Sequence, residues 1–155
     1  MKKCFLSLIL FLANPAIAFD PIEEGFAHGA KALQQNDLKQ AAEIWFPLAE
    51  RGHAGSLIYF FYVLSQDLSL AASNPKMMNL LMKMAQYNDA DPIQYNQSEQ
   101  ILLWKVYQEH KLFDKAEAWL KKIGKTAAEA EAIFQQDKAN AKVVLDDFKK
   151  GYPNN

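Results

Sequence analysis

The stretch AAEIWFPLAERGHA, residues 41–54, decides the fold class, because its apolar residues follow the spacing of an amphipathic helix. Trp45 lies on the apolar face of this helix, where an aromatic side chain is usually buried, so we predict that it is a core residue. Pro47 removes one backbone hydrogen bond and favours a kink over the neighbouring helix. Gly52 predicts the helix end, because glycine readily adopts the left-handed conformation found there.

The same periodicity continues along the chain beyond residue 18 and predicts an all-α domain. Helix starts are marked by Asp20 before Pro21, a cap followed by a first-turn proline, and by Thr126 three residues before Glu129, a capping box. We expect the last helix to be interrupted around 137–140. The signals together predict helices over 21–35, 38–51, 55–70, 75–87, 97–109, 112–123 and 127–150.

The first 18 residues have the features of a cleaved secretory signal peptide. Two lysines precede an apolar run over 5–13, and Ala16 and Ala18 supply the small residues of a cleavage site. This run is shorter than the roughly 20 apolar residues of a transmembrane helix. We therefore predict cleavage after Ala18, a periplasmic or secreted protein that begins at Phe19, and no transmembrane segment after cleavage.

The predicted mature chain, 19–155, suits a single domain with its own core. Its lack of cysteine excludes disulfides and metal–thiolate sites, because the one cysteine of the sequence, Cys4, lies in the signal peptide. Without the two lysines of the signal peptide, 15 basic residues stand against 18 acidic ones. Nucleic acid requires a concentrated positive surface, so this charge balance argues against it as a partner.

Pairs of alanines mark an internal repeat. Residues 49–54 and 85–90 each begin and end with alanine at an offset of 36, and Ala41 and Ala116 lie 75 residues apart. Trp45 and Leu120 follow those last two alanines by four residues. Such offsets are typical of paired helices. We predict a helical-repeat domain with pairs over 21–52, 54–88 and 97–124 and a capping helix over 126–151.

Two of these pairs resemble known repeats. GAKALQQNDLKQAAEIWFPLAERGHA, residues 29–54, resembles a Sel-one-like repeat, and ILLWKVYQEHKLFDKAEAWLKKI, residues 101–123, is similar to the related tetratricopeptide repeat. The resemblance implies a right-handed solenoid of αα-hairpins, with Phe113 at a core position. Where these families place a small residue for close helix packing, the three copies have Gly29, Ser65 and Trp104.

The same resemblance implies a candidate binding surface on the concave face, formed by the first helix of each pair. Tyrosines with polar neighbours suit such a surface, because tyrosine offers a broad apolar contact and a hydroxyl group. The alternative is that Tyr59 and Tyr62 pack against the next repeat or against the last helix. By position, the inward-facing residues are Glu23, Phe26, Leu33, Tyr59, Tyr62, Gln66, Ile101, Lys105 and Gln108.

Glu50, His53 and Ser56 follow one another at spacings of three and suggest a catalytic triad. However, Gly52 is predicted to end the helix between them, and no nucleophile elbow is present. We interpret the three as surface residues at a loop and predict no catalytic residue.

His110, Asp114 and Glu117 would suggest a metal site on one helix face, but a predicted turn separates the histidine from the two carboxylates. His28 falls at a repeat position that is usually buried between paired helices, so we interpret it as a core histidine. The sequence has no glycine-rich phosphate loop. We predict neither a metal nor another cofactor.

The predicted function is a non-enzymatic protein–protein interaction module of the periplasm, an adaptor or assembly factor that binds an envelope component. Small exported Sel-one-like proteins also resemble immunity proteins, which neutralise a secreted toxic effector such as a lipase. A third possibility is a hydrolase of cell-wall-type ligands, an activity linked to cysteine-rich relatives whose disulfides this chain lacks.

Overall fold

The computed structural model describes residues 20–86 and 97–151, apart from the side chains of 84–86. No strand occurs among these residues, so the predicted all-α class is confirmed. The predicted signal peptide and the predicted end of the second pair at residue 88 lie outside them. The described residues form eight helices: α1 (Pro21–Gln34), α2 (Leu38–Glu50), α3 (Ala54–Gln66), α4 (Ser69–Ser73), α5 (Pro75–Gln86), α6 (Gln97–Glu109), α7 (Phe113–Ile123) and α8 (Ala127–Gly151).

The predicted helix over 55–70 is divided into α3 and α4 by Asp67. The Asp67 backbone is extended, with φ −138° and ψ 94°. Its Oδ1 accepts hydrogen bonds from the amide and the hydroxyl of Ser69, at 3.0 and 2.6 Å. An aspartate that bonds the backbone two residues ahead competes with the helical pattern, and the helix ends there. The second pair therefore has a longer connection than the other two.

The predicted break at 137–140 is wrong, because α8 runs without interruption from Ala127 to Gly151. Side-chain pairs one turn apart support this segment: the Gln136 amide donates to Asn140 Oδ1 at 2.9 Å. The buried stripe of α8, which includes Phe134 and Ala141, also passes through the segment. Burial of that stripe outweighs the poor helix propensity of aspartate and asparagine at these positions.

Four connections between helices share one geometry. Asn36, Gly52, Lys111 and Gly124 each have a positive φ, of 60°, 86°, 58° and 65°. After each of them, the next amide donates to the carbonyl five residues earlier, as Asp37 does to Ala32 at 3.0 Å. This is the Schellman ending of a helix. The turn at Lys111 thus reproduces the turn at Asn36 at the offset of 75 found in the sequence.

Lys111→Gly is expected to raise the free energy of unfolding by about 1 kcal/mol, because a lysine in the left-handed region carries a steric penalty that glycine does not. Urea denaturation followed by circular dichroism measures the change. Lys111→Ala removes the same charge but keeps the β-carbon, so it should give no gain. Equal effects of the two substitutions would contradict the strain at this turn.

The predicted core position of Trp45 is confirmed, since its side chain is fully buried. Its indole Nε1 donates to the Phe26 carbonyl at 3.1 Å, 19 residues earlier. Trp119 is also buried, and its Nε1 donates to the Gln100 carbonyl at 2.9 Å, again 19 residues earlier. The repeat alignment in the sequence paired Trp45 with Leu120. In the structure, the residue whose hydrogen bond is equivalent to that of Trp45 is Trp119, one position earlier.

Two expected core residues lie at the surface instead. Phe113 is 63 % exposed, because it occupies the first turn of α7, ahead of the buried face that begins at Ala116. His28 is exposed on α1, with its Nε2 4.0 Å from a Glu24 carboxylate oxygen. The buried face of α1 continues instead through Gly29 and its neighbours.

Consecutive helices α1, α2 and α3 pack against one another, and α6 packs against α5 and α7. The last described helix, α8, packs against α1, α3 and α6, which are the first helices of the three predicted pairs. No helix in the described part of the chain is long and apolar enough to cross a membrane.

Candidate protein-binding site

The residues predicted to line a concave binding surface lie on α1, α3 and α6, and α8 packs against these same three helices. We call the space between the three helices the groove. Its occupant in the structure is the chain's own helix α8. A partner helix cannot bind there while α8 fills it.

At one end of the groove, aromatic rings hold α8 in place. Phe148 of α8 lies 4.3 Å from Tyr59 and 6.0 Å from Phe26, measured between ring centroids. Burial raises the pKa of the Tyr59 hydroxyl, and the neighbouring Tyr62 adds to the shift. Tyr59 therefore packs against the last helix, which was one of the two alternatives for this residue. Tyr62 contacts the Tyr59 ring edge-on, with centroids 6.1 Å apart.

Further along the groove, polar side chains contact α8. The Gln66 amide donates to the Lys138 carbonyl at 2.9 Å, and the Gln34 amide donates to the Lys149 carbonyl at 3.4 Å. Lys105 Nζ lies 2.6 Å from Glu131 Oε2, and this hydrogen bond lowers the pKa of the Glu131 carboxyl group. Two of these contacts are made to backbone carbonyl groups of α8, so they do not depend on which side chains α8 carries at those positions.

The other predicted surface residues have different positions. Leu33 and Ile101 lie in the core, out of reach of any partner. Gln108 is partly exposed on α6, and Glu23 is exposed on α1. The prediction placed all of these on one surface because it used repeat register alone, which does not report the burial of each side chain.

Part of the suspected catalytic triad does come together, as a helix cap. His53 Nδ1 accepts the Ser56 amide at 3.2 Å and lies 2.7 Å from the Ser56 hydroxyl. The carboxylate near His53 Nε2 belongs to Glu23, at 3.9 Å, whereas Glu50 is exposed elsewhere. The interpretation of all three as surface residues is wrong for Ser56, which is fully buried, so its hydroxyl is inaccessible to a substrate. This geometry fixes the start of α3.

Within residues 20–86 and 97–151, no three histidine, cysteine, aspartate or glutamate side chains are close enough to hold a metal ion. His110, Asp114 and Glu117 therefore form no such group.

Beside the groove, a cleft of about 360 Å³ lies between α3, α6 and α8. Its apolar lining includes Phe61, Leu102 and Phe134, and Ile58 stands at its edge, 49 % exposed. A volume of this size lies at the lower end of the range for ligand pockets. We call this feature the cleft.

Each of two carboxylate groups in the cleft has one oxygen atom without a hydrogen-bond partner. Glu99 Oε2 and Asp137 Oδ2 are buried, and neither has a partner among the described residues. Burial raises the pKa of the Glu99 carboxyl group; a hydrogen bond from the Glu99 backbone partly opposes this shift, and the nearby negative charge of Asp137 adds to it. Because the two residues lie on different helices, sequence patterns did not pair them. The sequence signal for this pair is Asp137, a charged residue on the same side of α8 as the buried Phe134 and Ala141.

No protein-family model, curated protein or solved structure matches this chain. The resemblance to Sel-one-like and tetratricopeptide repeats therefore stays a prediction.

Proposed function

We propose that this protein is a non-enzymatic, exported module that binds another protein, as an adaptor or assembly factor of the periplasm. The proposal includes its arrangement as a right-handed solenoid of Sel-one-like and tetratricopeptide-like helix pairs. The equivalent turns at Asn36 and Lys111, together with the equivalent indole hydrogen bonds of Trp45 and Trp119, support a repeated unit.

The observation that carries the binding role is the exposed apolar surface beside the cleft. Val143 and Val144 on α8 are 60 % and 38 % exposed. They lie three and four residues after Asn140, which lines the cleft, so they extend the same side of the helix. Ile58, on α3, is exposed and lines the cleft itself. We refer to these three exposed side chains as the apolar rim. Large apolar side chains grouped on a surface are typical of a protein–protein interface.

A pull-down with residues 19–155 tests this role. Three versions of the bait are used: the wild type, Ile58→Glu and Phe113→Glu. Each is incubated with periplasmic extract and with secreted proteins of the strain that produces the protein. Phe113 is the matched control, because it is also an exposed apolar residue but lies at the start of α7. We expect a partner that wild type and Phe113→Glu retain and that Ile58→Glu loses, because a charge at the rim must be desolvated on binding.

The identity of that partner separates the two biological roles. An envelope protein would support the adaptor role. One secreted enzyme, recovered in near-equal amount and inactive in the complex, would support the immunity role instead. Recovery of nothing, or equal recovery by all three baits, would contradict binding through the apolar rim.

A further inference from the structure

We infer that the cleft receives a basic side chain of the protein partner, which pairs with Glu99 and Asp137 while neighbouring partner residues cover the apolar rim. This inference rests on the proposed protein-binding role and adds the chemistry of the contact. It defines the partner as a segment with an arginine or lysine flanked by apolar residues.

The first argument is the state of the two carboxylates. Buried polar atoms in folded proteins nearly always have a hydrogen-bond partner, and a buried charge is normally paired. Glu99 Oε2 and Asp137 Oδ2 meet neither condition among the described residues. Two carboxylates that also repel each other form a site that a cation would stabilise.

The second argument is that no basic side chain of the described residues hydrogen-bonds the two unpartnered oxygen atoms. No lysine, arginine or histidine is among the described residues that line the cleft. Of the lysines on the adjacent helices, Lys105 pairs with Glu131. The Nζ atoms of Lys105 and Lys138 also lie 5.4 and 5.9 Å from the ring centroid of Phe134, which lines the cleft. The sequence that directly precedes α6, residues 87–96, contains no lysine or arginine.

The third argument is the combination of acceptors and apolar surface. The stem of a basic side chain is apolar, and Phe61, Leu102 and Phe134 offer it a matching surface. Ser65, Ser98 and Asn140 also line the cleft and add neutral oxygen atoms to the two carboxylates. Because a guanidinium group has five N–H donors and is more weakly hydrated than an ammonium group, these features favour arginine over lysine.

Titration with a small probe tests the inference without knowledge of the partner. The probe is N-acetyl-arginine amide, its neutral control is the citrulline counterpart, and binding to residues 19–155 is followed by amide chemical shifts in ¹H–¹⁵N NMR spectra. We expect saturable shifts confined to the cleft, around 98–102 and 137–141. The citrulline probe, and the arginine probe with a Glu99→Gln/Asp137→Asn variant, should bind about tenfold more weakly or worse.

Glu109→Gln is the matched control, because Glu109 is an exposed carboxylate on the same helix as Glu99. It should bind the arginine probe like the wild type. Absence of shifts in the cleft, or equal shifts with citrulline, would overturn the inference. The inference would also be overturned if Ca²⁺ gave saturable shifts of the same amides and displaced the probe, since the cleft would then be a metal site.

Thermal unfolding provides a readout that separates binding from a structural role. The raised pKa means that the ionised form of Glu99 disfavours the folded state, so Glu99→Gln should raise the melting temperature at neutral pH. The gain should shrink as the pH falls below that raised pKa, and it should vanish below the ordinary pKa of a glutamate carboxyl group, where the folded and unfolded wild type are both protonated. A lower melting temperature for Glu99→Gln at neutral pH would mean that the carboxylate stabilises the fold, contrary to the inference.

The two proposals can fail separately. If the arginine probe binds the cleft but the pull-down recovers no partner, the cation site is supported and the protein-binding role is contradicted. If Ile58→Glu loses the partner but Glu99→Gln/Asp137→Asn still binds it, the protein-binding role is supported. The inference that a basic side chain of the partner enters the cleft is then overturned.

Discussion

Trp45→Ala is expected to lower the free energy of unfolding by about 3–5 kcal/mol, the range typical of a buried aromatic residue cut back to alanine. The substitution removes a fully buried ring whose centroid lies between 5.5 and 6.3 Å from those of Phe26, Tyr59 and Phe148. These rings come from α1, α3 and α8, so the cavity left by this α2 side chain would open where four helices meet. Urea denaturation followed by circular dichroism measures the loss.

Trp45→Phe separates packing from hydrogen bonding. It keeps an aromatic ring but removes the indole donor, and it leaves the Phe26 carbonyl without that partner. We expect a smaller loss than with alanine. A loss below about 1 kcal/mol for Trp45→Ala would show that the site collapses around the missing ring, or that the ring is not the centre of this core.

Gly29→Ala is expected to destabilise the protein by about 1–3 kcal/mol, although alanine is the better helix former. A β-carbon at this position would lie 2.2 Å from Trp45 Nε1, inside the contact distance of the two atoms. The fully buried indole cannot move away without disturbing its own neighbours. The change is measured by urea denaturation, as for Trp45→Ala.

Gly25→Ala, on the same helix, is the control. There the new β-carbon would lie 3.1 Å from Leu48 Cδ1, the end of a flexible side chain that can shift. We expect little change or a small gain. In the double variant Gly29→Ala/Trp45→Ala, the clash is absent, so the two losses should be less than additive. Additive losses would contradict a direct conflict between Gly29 and the indole.

Local features of the fold were predictable from the sequence, because they depend on neighbouring residues. The apolar face of the 41–54 stretch identified Trp45 as core, and Gly52 marked a helix end that the structure shows with φ 86°. The break after Gln66 was missed because it depends on the Asp67 side chain, whose hydrogen bonds to Ser69 compete with the helix.

The candidate site was predictable only in part, because it depends on where α8 lies. Repeat register predicted that Tyr59, Gln66 and Lys105 face a binding surface, and in the structure these side chains contact α8. Periodicity does not reveal that another helix fills that region. The cleft was missed for the same reason, since Glu99 and Asp137 meet only through the packing of α6 and α8. Leu33 and Ile101 were included in error as surface residues because register does not report burial.

The hydrogen bonds between α8 and the first helix pair have a consequence for how the chain folds. Lys149 contacts Gln34 and Asn36 across sequence separations of 115 and 113 residues. In an open repeat array each unit contacts only its neighbours, so folding can start in one unit and spread. Here α8 packs against helices from both the start and the end of the chain. Such contacts between distant residues raise the contact order and slow folding. The aromatic cluster at the groove stays uncovered until α8 has been synthesised. In the complete protein, α8 and the helices it contacts should unfold as one cooperative unit.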